Sequence, residues 1–263
     1  MQIADNEMSS IIPHDLGQIS RSAIRAPAPL FSYGHALALR EKVLASGDAE
    51  LPLYLLAPEV TVLLSYLPDL RQRLLIETLW NTGARLNEAL ALTPACFHIE
   101  GDSPFVVLKT LKQRQKGRGR PKEGQTLKRI VPLLDENYVR LVHEYLATFR
   151  PKKYAPLWVN EHGDTISDET PRTWLRAAVT RANRDSVTFS LPVITPKTFR
   201  HSFAMHLVQS GVAFKVVQTF MGHKDAASTE VYTRIFALDV GAQYGVKFSM
   251  AAADAMALVR RRS

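Results

Sequence analysis

The chain has 263 residues, enough for one large domain or two small ones, and its 46% hydrophobic content can fill a core. With 33 Lys plus Arg against 25 Asp plus Glu it carries a formal charge of +8, which favours a polyanionic partner, nucleic acid foremost. No stretch approaches the roughly 18 consecutive apolar residues of a membrane-spanning helix. Asp5 and Glu7 stand where a secretory leader would be basic, so a cytoplasmic protein with no membrane partner is expected. Cys96 is the lone cysteine, which excludes an intramolecular disulfide or a cysteine-based zinc site and leaves it the part of a small buried apolar side chain.

Residues 1 to 30 mix Ser, Asn, Ile and Pro without a period and end in Ala26-Pro27-Ala28-Pro29, the composition of an arm or linker. One amphipathic helix is predicted over 31–44. From Pro58 the apolar spacing turns helical: Leu63 and Leu64, then, past a break at Pro68, Leu70, Leu74, Leu75 and Leu79, with Gly83 as C-cap. A boundary is placed near residue 56, dividing an N-terminal arm with a short helical segment (1–55) from the main domain (56–263). Phe105-Val106-Val107-Leu108 and Arg129-Ile130-Val131-Pro132-Leu133 are β-rich runs around the polar, Gly-rich segment 112–128, a hairpin with a long tip. Helical patterns return over 135–149, 168–184, 197–209, 213–221 and 229–236, and an Ala-rich stretch from Met250 to Arg261 reads as a last helix. No internal repeat is visible. The expected architecture is mostly α with one small antiparallel β-sheet, without doubly wound βαβ alternation.

Three constellations carry chemistry. Thr82-Gly83-Ala84-Arg85-Leu86-Asn87-Glu88 sits where one helix ends at glycine and another begins. Backbone N–H groups exposed there suit an anion. Glu88 can reach back to fix the Arg85 guanidinium plane, as bidentate phosphate binding needs. Alone, the pair would be an ordinary surface ion pair. In Thr195-Pro196-Lys197-Thr198-Phe199-Arg200-His201-Ser202-Phe203, Thr195 as N-cap and Pro196 at the first position open a helix. Lys197 and Arg200 share one face, with Phe203, Leu207 and Val208 on the other. In Phe220-Met221-Gly222-His223 followed by Ser228-Thr229-Glu230-Val231-Tyr232, His223 falls just past a glycine-terminated helix. Tyr232 then lies one turn into the next helix, which Ser228 is expected to cap. A lone His or Tyr in such places is usually structural; the company they keep changes the reading.

Together these motifs resemble the tyrosine recombinases, or phage-type integrases. That family has an Arg in T-G-x-R-x-x-E, a His or Lys three residues before a second Arg in a segment continuing H-[ST]-[FA], then G-H and a Tyr. The resemblance spans about residues 56 to 237. The interval of 23 residues from Arg200 to His223 and of nine from His223 to Tyr232 both fit. Within the family the chain resembles the resolvases of F-type plasmids. Most relatives have His where this chain has Lys197, which puts the proton-handling role of that position in question.

The resemblance implies the integrase catalytic fold of DNA breaking-rejoining enzymes and the catalytic set Arg85, Lys109, Lys197, Arg200, His223 and Tyr232, with Glu88 supporting Arg85. Lys109 is the best match for the family's hairpin lysine, with Lys112 as fallback. Tyr232 would attack a DNA phosphorus and leave a 3′-phosphotyrosyl link, with Arg85 and Arg200 clamping the charged oxygens and His223 donating a hydrogen bond. Lys109 would protonate the leaving oxygen, and Lys197 would assist through charge or accept the tyrosine proton. No metal or other cofactor is expected, since the sequence has neither a phosphate-binding G-x-x-x-x-G-K-[ST] loop nor a clustered set of acidic ligands. Double-stranded DNA is the expected partner, cut and exchanged by a homotetramer on two sites through a Holliday junction. Host DNA-bending proteins are expected accessories, and resolution of plasmid multimers the outcome. Relaxation of the type IB topoisomerase kind, or DNA-binding regulation without cutting, are the alternatives. The hairpin tip, with Lys112, Lys116, Arg118, Arg120 and Lys122, is the expected DNA-binding element. Its Arg-Gly-Arg core resembles an AT-hook, though a flexible cationic loop is the simpler reading.

Overall fold

The structure, a computed structural model, describes residues 33–47, 51–110, 127–223, 227–237, 250–253 and 256. Its elements in chain order begin with α1 (Tyr33–Ala45), α2 (Ala57–Ser65), α3 (Leu70–Thr82) and the short α4 (Leu86–Leu90). A single 3-10 turn leads into β1 (Phe97–His98), β2 (Phe105–Thr110) and β3 (Leu127–Pro132). Then follow α5 (Glu136–Phe149), α6 (Glu169–Arg184), α7 (Pro196–Gln209), α8 (Phe214–Met221) and α9 (Ala227–Ala237). The mostly α architecture with one small antiparallel sheet is as expected. The last expected helix lies largely outside the described residues, though Ala252, Ala253 and Met256 are helical.

Helix α3 is the central post. Asp69 starts it by accepting from the Gln72 N–H at 2.9 Å. Gly83 ends it in the left-handed region at φ 59°. Its Leu74, Leu75, Ile76 and Leu79 are fully buried, and α5, α6 and α7 pack around it. Helix α5 presents Tyr138, Leu141, Val142 and Tyr145, a stripe at spacings of three and four, and the Tyr138 hydroxyl meets Thr78 Oγ1 at 2.8 Å. Helix α7 is buried on most sides through Phe199, Phe203, Ala204, Met205, Leu207 and Val208, and so it holds its polar residues in fixed places.

The sheet has order β1-β2-β3, all antiparallel. The two-residue β1 was not foreseen; it is too short to carry a periodic signal. Strands β2 and β3 run further toward the tip than their apolar runs, and the register pairs Leu108 with Arg129 and Lys109 with Lys128. Alternation puts Val106, Leu108, Arg129 and Val131 on the buried face and the two lysines on the other.

Helix α1 places Ala36, Leu39 and Val43 in the same core as the later helices, and buried Arg40 pairs with Glu59 of α2. Glu59 also accepts from the Leu56 N–H at 2.9 Å and the Ser190 hydroxyl at 2.6 Å. Every described residue falls in the compact unit that begins at Phe31. Cys96 is buried, and among the described residues no helix is long and apolar enough to cross a membrane.

Candidate active site

Two helix C-termini, the start of α4, the middle of α7 and strand β3 converge on one spot. Both glycines that end the helices are required by shape as well as by backbone. A Cβ on Gly83 would stand 2.3 Å from a ring carbon of Phe203, and one on Gly222, at φ 60°, would stand 2.9 Å from Arg129 Cδ. Arg200, 7% exposed, reaches between the two ends. It donates through Nη1 to the Gly83 carbonyl and through Nη2 to the Met221 carbonyl at 2.5 Å. Orphan carbonyls at two helix ends thereby fix its guanidinium plane.

Arg85 is the N-cap residue of α4. Its backbone N–H donates to Glu88 Oε2 at 2.9 Å and its Nη1 to Glu88 Oε1 at 3.0 Å. The expected reach of Glu88 back to Arg85 is present, and the carboxylate also takes one of the backbone N–H groups at the junction, that of Arg85. Glu88 is also gripped from the sheet: Arg129 Nη1 and Nη2 donate to its two oxygens at 2.9 and 2.7 Å. Arg129 Nε donates to the Phe220 carbonyl at 2.9 Å. Burial alone would raise the Glu88 pKa, yet the bonds and charge of Arg129, with those of Arg85, hold it below the ordinary carboxylate value. Arg129 is a site residue that sequence reasoning missed. The available signal was a charged residue in phase with the core-facing Val131.

Arg85 and Arg129 thus grip one carboxylate, and the Arg200 guanidinium stands near enough to feel both cations. Burial first, then Arg85 and Arg129, push the Arg200 pKa down to about 9, so it remains a cation at neutral pH but an uncomfortable one. A bound anion relieves that repulsion. The side chain of Arg85, 40% exposed, is free to meet one.

His223 follows Gly222, and its Nδ1 bonds Thr229 Oγ1 of α9 at 2.8 Å. A Thr229 hydroxyl donating to Nδ1 leaves the ring proton on Nε2, available to a ligand. Burial, then Arg200, Arg85 and Arg129, lower the His223 pKa to about 4. Ser228, expected to cap α9, lies inside its first turn, because the helix is already formed at Ala227. Thr195 occupies the N-cap of α7, but its side chain makes no cap bond; instead its N–H donates to Thr198 Oγ1 at 3.1 Å.

Tyr232 is 1% exposed on α9, and its Oη lies 2.8 Å from His201 Nδ1. Burial pushes its pKa up to about 12, against the pull of Arg200. Lys197 is exposed in the first turn of α7, and Lys109 is exposed near the end of β2. Among the described residues, no hydrogen bond or ion pair joins either lysine to Arg85, Arg200, His223 or Tyr232. Lys112, Lys116, Arg118, Arg120 and Lys122 lie outside the described residues. A cleft of about 350 Å³ beside His223 and Gly222 is lined by Thr110, Lys128, Arg129 and Lys215, so further cations approach from β3 and α8. The larger cleft, about 660 Å³ around Trp158 and Trp174, contains none of the site residues. Such an arrangement can hold a tetrahedral oxyanion and stabilise added charge on it beside a phenolic oxygen.

Comparison with known proteins agrees with this geometry. Residues 54–238 match the model of the phage integrase family. A resolvase of Escherichia coli is 46% identical over 258 residues, covering 92% of this chain and 95% of the relative. Tyrosine recombinase XerD of Staphylococcus aureus is 31% identical over 242 residues, covering 84% of this chain and 74% of the relative. XerH site-specific recombinase in a post-cleavage complex with its palindromic difH substrate superposes with TM-score 0.56 at 25% identity. That match covers 73% of this chain, which spans about half (53%) of the XerH chain. The Tn1549 transposon integrase with circular intermediate DNA gives TM-score 0.57 at 20% identity over 82% of this chain and 69% of its own, a likeness of fold. With the Arg85, Arg200, Gly222-His223 and Tyr232 motifs gathered on this fold, the chain belongs to the phage integrase family, the tyrosine recombinases.

Proposed function

We propose that this protein is a site-specific recombinase that cuts and rejoins duplex DNA through a 3′-phosphotyrosyl intermediate and a Holliday junction, and that its task is resolving plasmid multimers. The observation that carries the reading is the fixed Arg200 guanidinium, with Arg85 and His223 beside it and Tyr232 on the adjoining helix. Tyr232 Oη attacks the phosphorus in line with the departing 5′ oxygen. Charge grows on the non-bridging oxygens, which Arg85 and Arg200 clamp and His223 supports by hydrogen bonding. Lys109, on the minor-groove side of the hairpin, protonates the leaving oxygen, and Lys197 adds positive charge. Bond energy is kept in the phosphotyrosyl link, so neither nucleotide nor metal is needed.

Residues 56–263 form the catalytic part in this reading and 1–55 its N-terminal arm. The tip residues Lys112, Lys116, Arg118, Arg120 and Lys122 hold DNA backbone near the cut. Four protomers assemble on two sites with host DNA-bending proteins, in the cytoplasm. The resolvase relatives and the overall charge of +8 support DNA as the partner. A supercoiled plasmid carrying two copies of the DNA flanking the coding sequence tests the proposal, with EDTA present and no nucleotide. Separate product circles and protein-linked 3′ ends are expected. Relaxed topoisomers without rearranged circles would make the enzyme a topoisomerase, and binding without any strand break a regulator.

A further inference from the structure

Attack by Tyr232 on phosphorus requires a group that receives the phenolic proton. Lys197 is exposed, one turn before His201 on α7, and among the described residues no hydrogen bond joins it to Tyr232. The group that touches the phenol is His201, whose Nδ1 lies 2.8 Å from Tyr232 Oη with the ring planes tilted by 55°. We infer that His201 takes the proton from Tyr232 Oη as the Oη–P bond forms, and returns it when the strand is rejoined.

The local structure provides for this. Arg200 and His201 are consecutive on a helix buried on most sides, so their side chains leave α7 about 100° apart. One goes to the two helix ends that frame the oxyanion site and the other to the nucleophile. Any movement of α7 therefore carries acceptor and clamp together. The imidazole is neutral at physiological pH: burial, followed by Lys197, Arg200 and His223, lowers its pKa to about 4. With its ring proton on Nε2, Nδ1 accepts the phenolic hydrogen bond.

Proton transfer from a resting phenol with a pKa near 12 to such a base is unfavourable before attack. It becomes favourable as the phenolic oxygen bonds phosphorus and its proton grows acidic. A DNA phosphate held by Arg85 and Arg200 supplies the negative charge that restores basicity to His201, so the base is weak until substrate is bound. The step balances. The Oη–P bond forms, the bond from P to the 5′ oxygen breaks, the phenolic proton passes to His201 Nδ1, and the leaving oxygen takes a proton from Lys109. Rejoining runs the same transfers backward.

This inference rests on the cleavage chemistry proposed above, and its test separates the two. The full chain is given a half-site nicked beside the cleavage point, and adduct formation is followed in a single turnover for wild type, His201→Asn and His201→Ala. Asparagine sets an amide atom where Nδ1 stands, keeping a hydrogen bond but taking no proton. His201→Asn is expected to slow adduct formation by about 10²-fold or more, with half-site binding unchanged. Replacing Tyr232 by a ring-fluorinated tyrosine of lower pKa should narrow the gap between His201→Asn and wild type, because a more acidic phenol depends less on its base. A His201→Asn protein as fast as wild type, or slowed by the same factor with either tyrosine, would overturn the inference and leave His201 a positioning contact. If asparagine prevents folding, His201→Ala serves with the same two outcomes. A wild-type protein that forms no adduct overturns the cleavage reading and this step with it.

Discussion

Arg129 ties the sheet to the arginine cluster, and replacing it with methionine, similar in length but uncharged, measures that tie. The side chains of Arg129 and Glu88 are 7% and 2% exposed, and their charged atoms approach to 2.7 Å. Removing one member of a buried pair costs about 3–5 kcal/mol, because the other charge stays buried without its partner. Glu88 would keep only Arg85, whose side chain is 40% exposed, while the Phe220 carbonyl loses its donor. At about 2–4 °C of melting temperature per kcal/mol for a domain of this size, the midpoint should fall by about 6–20 °C. Glu88→Leu alone strands Arg129 and should also destabilise strongly. The double variant Arg129→Met with Glu88→Leu leaves neither charge and should cost clearly less than the two single changes together. Thermal and denaturant unfolding of the four proteins reads this cycle directly. A midpoint for Arg129→Met within about 2 °C of wild type, or single effects that simply add, would refute the pairing described for these residues.

Gly222→Ala introduces a methyl 2.9 Å from Arg129 Cδ at a left-handed φ, whereas Gly211→Ala, at φ 80°, meets nothing within 4 Å. Both incur the left-handed penalty of about 1–2 kcal/mol, so calorimetry should show the larger loss at Gly222; equal losses would remove the steric argument. Burial and neighbouring cations depress the His201 and His223 pKa values from 6.5 to about 4, so the unfolded chain binds more protons in that window. Stability should therefore decline as pH falls from 6.5 toward 4. It should decline less with a bound half-site, whose phosphates raise both values; melting curves with and without DNA that stay parallel would contradict this. Arg85→Ala should slow adduct formation by at least about 10²-fold while weakening half-site binding much less, as gel shifts beside single-turnover assays would show. Equal losses in both would make Arg85 an ordinary phosphate contact.

Much of the site was legible because local signals coincided. Gly83 and Gly222 are helix ends that could be read from glycine after an apolar run, and both adopt φ near 60°. Arg200 and Tyr232 followed from helical phase and from the spacing of the family motifs. What escaped depends on contacts distant in sequence. Arg129 meets Glu88 across 41 residues and His201 meets Tyr232 across 31. Neither the strand pattern nor the helix pattern specifies a partner at that range. Of the backbone N–H groups expected to be exposed at this helix junction, that of Arg85 is taken for a related reason. The residue expected to orient the guanidinium could reach the backbone as well, and a buried carboxylate takes every donor within range. Serine favours the N-cap, so Ser228 is expected there, yet α9 begins before it at Ala227. The hairpin was readable as two apolar runs, but the pairing of Lys109 with Lys128 required a register that the tip sequence does not dictate.

Cleavage of the kind proposed leaves Tyr232 covalently joined to DNA. Trapping the protein on a nicked half-site, digesting with trypsin and nuclease, and sequencing the modified peptide by mass spectrometry tests it most directly. A nucleotide phosphate is expected on Tyr232, within the peptide of residues 225–234, and no adduct from Tyr232→Phe, which should still fold and bind the half-site. An adduct on another residue, or one that persists in Tyr232→Phe, would contradict it.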